Sequence, residues 1–169
     1  MSHYYTFVIA CFLGQPVLSR ASAEDVVAPT TASETVSQFF SALSKGEVDR
    51  AVSMTAPLIG VSDDAVRQEY AEMSQFAKAA TLQIVAHLQL GETAVVIFRE
   101  GGPSKTTTVD LDPAYLVRRD NKWYVIFTLT RFDRPYHKFD ETTQAKFKKL
   151  EGWYDAQKPQ LQRLLAGTQ

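Results

Sequence analysis

The sequence has little of what covalent or metal chemistry needs: one cysteine and three histidines in 169 residues. Cys11 lies in the N-terminal segment, so a chain cleaved after Ala23 contains no cysteine. That excludes disulfides, thiol nucleophiles and cysteine-ligated metals from the mature chain, whose stability must come from packing. No apolar run reaches the about 20 residues of a membrane-spanning helix. A Gly-x-Ser-x-Gly elbow, a phosphate-binding loop and a dinucleotide-type glycine turn are all missing. "REGGPSK" (residues 99–105) has glycines and a lysine but no strand–loop–helix context, and reads as a hairpin loop. "DRPYHKFD" gathers Asp133, His137 and Asp140 without helical i, i+4 spacing or a second histidine. No metal and no cofactor are expected.

A strong excess of one charge is also missing. The net charge is −1, with 45% apolar and 22% charged residues, which gives no general pull toward nucleic acid or acidic membranes. Residues 1–130 carry a net −4 and the remainder a net +3; the basic tail reads as a solvated helix face. Arg118, Arg119 and Lys122 beside Tyr124 resemble a single-strand-binding pattern. Charges flanking a turn are more often guards of a sheet edge, so nucleic acid is not an expected partner.

What is present begins with "TFVIACFLGQPVL" (Thr6–Leu18), an apolar run followed by Ala21-Ser22-Ala23. This predicts a signal peptide over residues 1–23, cleaved between Ala23 and Glu24, although "MSHYY" lacks the usual Lys or Arg. Cys11 stands too early for a lipoprotein box. The expected location is periplasmic or secreted, with no stable membrane span after cleavage.

Residues 24–32 read as a flexible leader. Thr31 and Glu34 have capping-box spacing, and Val36, Phe39, Phe40 and Leu43 follow on one helical face. Gly46 breaks that helix, and a short second one presents Val48, Ala51 and Val52. Ser62 or Asp63 caps a third, with a stripe of Val66, Tyr70, Met73, Phe76 and Ala77. From Thr81 the period becomes two: Leu82, Ile84, Ala86, Leu88 and Leu90 are expected on one face, opposite Gln83, Val85, His87 and Gln89. Gly91-Glu92 turns into "TAVVIF" (93–98), and "TTTVDL" (106–111) reads as a third strand. "YLVRRDNKWYVIFTLTRF" (115–132) supplies two more, hinged at Asp120-Asn121. Trp123, Val125, Phe127 and Leu129 are expected inward, while Tyr124 and Ile126 on the other face require a cover. The expected cover is the C-terminal helix, with Phe147, Leu150, Tyr154, Leu161, Leu164 and Leu165 at helical spacing and a break before Pro159.

Helices followed by an antiparallel meander predict an α+β domain over residues 33–132: N-terminal helices on a curved, cone-like antiparallel sheet. A C-terminal helical extension follows over residues 133–169. "ETVSQFFSALSKGEVDRAVSM" and the Asp120-Asn121-Lys122-Trp123 hairpin resemble small exported bacterial members of the nuclear-transport-factor-2-like (SnoaL-like) superfamily. That resemblance implies a cone whose enzymatic members hold an Asp, His or Tyr inside as acid or base. Here the inward strand positions are uniformly apolar. His87 is expected on the opposite face, Tyr70 in the core, and Asp110 and Asp112 at a strand end.

The expected function is therefore an exported, non-enzymatic domain binding a small apolar ligand or a partner protein in the cell envelope. Tyr70, Tyr115, Trp123 and Phe127 are the pocket candidates, and a homodimer through the sheet is a further expectation. Two alternatives stand beside it. One is an isomerase- or dehydratase-type enzyme using His87, Tyr70, Tyr115, Asp110 or Asp112. The other is an accessory subunit of an envelope complex that docks through the C-terminal helix.

Overall fold

Thr31 and Glu34 do form the capping box that opens helix α1 (Ala32–Lys45). The Thr31 hydroxyl accepts from the Glu34 N–H (3.2 Å) and the Thr31 N–H donates to the Glu34 carboxylate (2.8 Å). Such a cap contributes about 1 kcal/mol. Gly46 ends the helix at φ 73°, a left-handed conformation that a side chain would strain, and its N–H reaches the Ala42 and Leu43 carbonyls. Short helix α2 (Val48–Ser53) follows, then α3 (Asp63–Ala77), whose first turn is capped by Ser62 Oγ accepting from Ala65 N–H. The computed structural model describes residues 31–56, 62–77, 81–101, 110–126 and 139–166. The expected signal peptide, most of the leader, Phe127 and Leu129 lie outside these.

Four strands form one antiparallel meander in the order β1 (Thr81–Leu90), β2 (Thr93–Gly101), β3 (Asp112–Arg119), β4 (Lys122–Ile126). β2 pairs directly with β3, so no strand from "TTTVDL" intervenes. Its two described residues, Asp110 and Leu111, precede β3, and the rest lie outside the described residues. Asp112 and Pro113 thus begin a strand instead of ending one. Proline is tolerated there because described β4 pairs only with Tyr115–Arg119. Asp120 (φ 47°) and Asn121 (φ 63°) make the expected two-residue turn, closed by Arg119 opposite Lys122. The outer margin of β4 is occupied at Val125, which exchanges backbone hydrogen bonds with Met54 and Ala56 (both 2.8 Å) beside a parallel bridge to Thr55.

Apolar side chains are buried on both faces of the sheet. Toward α1–α3, Val36, Phe39, Leu43 and Tyr70 pack with Val96, Leu116, Trp123 and Val125. Toward helix α4 (Glu141–Ala166), Phe147 and Leu150 pack with Val95, Val117 and Ile126. Fully burying each of those two side chains contributes about 1.5–3 kcal/mol. The cover that Tyr124 and Ile126 require is therefore the chain's own C-terminal helix. No break precedes Pro159, which sits inside continuous helix. A mid-helix proline costs roughly 3 kcal/mol, and packing of Leu161 and Leu165 beyond it against Ile97, Leu111 and Tyr154 offsets that cost.

Three expectations about the core differ. Phe76 is 82% exposed and Leu164 68% exposed, so both leave the stripes assigned to them. The third difference is larger. The β1–β2 register shifts between Ile84 and Ala86, leaving Val85 as an extra residue in a β-bulge. A one-residue shift exchanges the faces of every later side chain. Leu82 and Ile84 consequently pack toward α1–α3, whereas Leu88 and Leu90 pack toward α4. His87, opposite Val96, moves onto the α1–α3 side, contrary to the regular alternation.

Candidate functional site

Of the expected pocket residues, Tyr70 and Trp123 share one core cluster, Tyr115 lies on the other face of the sheet, and Phe127 lies outside the described residues. Tyr70 is fully buried among α1–α3, its hydroxyl 2.7 Å from that of Thr55, which also bonds the Ala51 carbonyl. Burial pushes the Tyr70 phenol far above its ordinary range, so it stays protonated. Tyr115 lies across the sheet, edge-on to Phe147 with ring centroids 6.1 Å apart. Trp123 belongs to the Tyr70 side but is buried as core. Among the alternative acid–base candidates, His87, Asp110 and Asp112 are exposed, and Leu111 between the two aspartates is fully buried toward α4. Among the described residues no group of three or more His, Cys, Asp or Glu could hold a metal. No described helix is long and apolar enough to cross a membrane.

On the α1–α3 side of the sheet the described core is filled by Phe39, Tyr70, Leu116, Trp123 and Val125. A cleft of about 230 Å³ is lined by Ser37, Phe40, Ser41 and Ser44 of α1, Ala77 of α3, Leu82 of β1 and Glu100 of β2. Helical spacing puts the four α1 residues on one face. The same helix turns Val36, Phe39 and Leu43 into the core, so its two faces separate scaffold from site. Phe40 is held over Phe98, with ring centroids 4.7 Å apart, and edge-on to Phe39 at 5.4 Å. Ser44 donates its hydroxyl proton to the Ser41 carbonyl (3.0 Å), leaving its oxygen lone pairs as acceptors.

Among the described lining residues Glu100 is the ionisable one. It is solvent-reachable, but partial burial, and then the negative charge of Asp112, raise its carboxyl above the usual glutamate range. The register explains this pairing. Asp112 stands opposite Phe98, two residues before Glu100, so both acids project toward α1–α3 at one end of the sheet. Glu100 went unrecognised in the sequence because "REGGPSK" reads as loop, whereas β2 continues to Gly101. The available signal was the two-residue spacing of Val96, Phe98 and Glu100.

No protein-family model matches the chain, and no curated protein does. Solved structures do resemble it. A Campylobacter jejuni protein named as an NTF2-like transpeptidase is 18% identical, covering 58% of this chain and 100% of its own, with a TM-score of 0.47. A SEC-C motif-containing protein from Rhodopseudomonas palustris is 11% identical over 59% of this chain and 78% of its own, with a TM-score of 0.43. A Thiobacillus denitrificans protein named as a calcium/calmodulin-dependent protein kinase type II association domain is 16% identical over 57% and 90%, also at 0.43. The succession of helices and antiparallel meander on which the resemblance read from the sequence rests is the succession seen in this α+β structure.

Proposed function

We propose that this chain is an exported, non-enzymatic binding module that takes a small ligand, or one side chain of a partner protein, in the cleft between α1, β1 and β2. The observation carrying this reading is the cleft itself: among the described residues it gathers Phe40, three serines of α1 and Glu100, whereas Phe39, Tyr70, Trp123 and Val125 are packed as core. Pockets for drug-sized ligands run to about 300–1,000 Å³, so 230 Å³ suits a smaller group. Acid–base chemistry needs convergent groups within hydrogen-bond reach of one substrate. Tyr70, Tyr115, His87 and Asp110 do not line the cleft, and Tyr70 is already bonded to Thr55. With α4 on the second sheet face, the cleft is a better contact surface than the sheet. Export rests on the apolar segment and the Ala21-Ser22-Ala23 site that precede the domain.

The test is a titration of the isotope-labelled full chain with a set of small neutral and charged organic fragments, followed through backbone amide shifts. Perturbations are expected to concentrate at residues 37–44 and at Ala77, Leu82 and Glu100. Shifts centred on Tyr115 and Trp123, or none at all, would overturn the reading.

A further inference from the structure

We propose that the cleft selects a small primary ammonium group carried on a short apolar stem, an inference that rests on the cleft being the binding site. Among the described residues the lining has one ionisable side chain, and it is acidic. Asp112, which also faces Lys158 of α4, adds negative charge beside Glu100. An anionic ligand would therefore meet repulsion, and a neutral apolar one would cover the Glu100 carboxylate without offering it a donor, which is unfavourable. An ammonium group reverses both effects. Its three N–H donors match the Glu100 carboxylate and the free lone pairs of serine hydroxyls on α1, Ser44 among them.

The rest of the cleft fits the stem. Phe40, Ala77 and Leu82 supply apolar wall, and Phe40 is half-buried and fixed by its contacts with Phe39 and Phe98. A fixed aromatic ring near a carboxylate also attracts a cation through its quadrupole. Arg50, Arg67 and Arg118 form their ion pairs with acids other than Glu100. The volume of about 230 Å³ limits the ligand to a few heavy atoms, which suits a small amine or a lysine tip better than a polyamine.

The probes are n-butylammonium, n-butanol and butyrate, each titrated at matched ionic strength into the isotope-labelled full chain at neutral pH. The expected result is shifts at Ser41, Ser44, Ala77, Leu82 and Glu100, with n-butylammonium about three- to tenfold tighter than n-butanol, a range discounted for partial solvent exposure. Glu100→Gln is expected to bring the two affinities together, and Ala77→Leu, which fills the cleft, to weaken both. Added sodium chloride should weaken n-butylammonium but not n-butanol in the unaltered protein, a readout that does not depend on any variant folding. Equal or tighter binding of n-butanol or butyrate, or an unchanged preference in Glu100→Gln, would overturn the ammonium inference and leave the cleft in place. No shift with any of the three probes would overturn the cleft reading as well.

Discussion

The hydroxyl of Tyr154 donates to the backbone carbonyl of Leu111 across 2.7 Å, joining α4 to the residues that lead into β3, 43 positions earlier in the chain. Both residues are buried, so the carbonyl has little access to replacement water. Tyr154→Phe keeps the ring that packs against Ile97 and Leu111 and removes the donor. The expected loss is about 1–2 kcal/mol in urea unfolding at unchanged m-value. An unaltered midpoint would mean that the bond contributes nothing net.

The bulge at Val85 makes a prediction that a regular strand would not. Leu88 belongs to the cluster around Phe147, on the α4 side of the sheet. Leu88→Ala and Phe147→Ala are therefore expected to couple by at least about 0.5 kcal/mol in a double-mutant cycle. Leu88→Ala and Phe39→Ala, on opposite faces, should add. Had the alternation continued without the bulge, coupling would appear in the second cycle.

Glu100 gives a pH signature. Its carboxyl is raised in the folded state, by burial and then by Asp112, while α1, α3 and β1 present serines, Phe40, Ala77 and Leu82 to it. The folded chain holds this proton more tightly than the unfolded chain does. Stability from this group is thus full below the ordinary glutamate value and is lost as pH rises through the folded one. Glu100→Gln is expected to melt at a higher temperature than the parent at neutral pH, with the difference vanishing in acid. Melting curves across a pH series that run parallel for the two proteins would contradict this.

Removing residues 139–169 should expose Val95, Val117 and Ile126, which are all buried against α4 in the intact chain. A contiguous apolar sheet face of that kind drives association. Light scattering is expected to show aggregation or oligomers in the shortened protein, and a well-behaved monomer with an unchanged melting temperature would show that α4 adds nothing to the fold.

How much was legible in the sequence depended on whether the signal was local. The capping box at Thr31, the left-handed Gly46 and the Asp120-Asn121 turn each follow from a few adjacent side chains, and each appears as expected. The need of Tyr124 and Ile126 for a cover was also readable, because period two fixes which residues share a face. The bulge was not, since "TLQIVAHLQL" alternates cleanly on paper and the register depends on β2. Its one trace was Val85, an apolar residue among Gln83, His87 and Gln89. The site was harder still. Glu100 faces the serines of α1 only because β2 runs two residues past Arg99 and α1 lies across its end, a juxtaposition between elements about 60 residues apart. A related limit applies to Tyr70 and Tyr115, which are separated by the thickness of a sheet whose second face the sequence could assign only by parity.

The bridge between Thr55 and Val125 bears on how copies of this chain can meet. With β4 blocked at Val125 by the 54–56 segment, β1 is the remaining margin of the described sheet. Joining through one margin per molecule is self-limiting: two sheets can unite across a two-fold axis, and neither then offers a second rail for further growth.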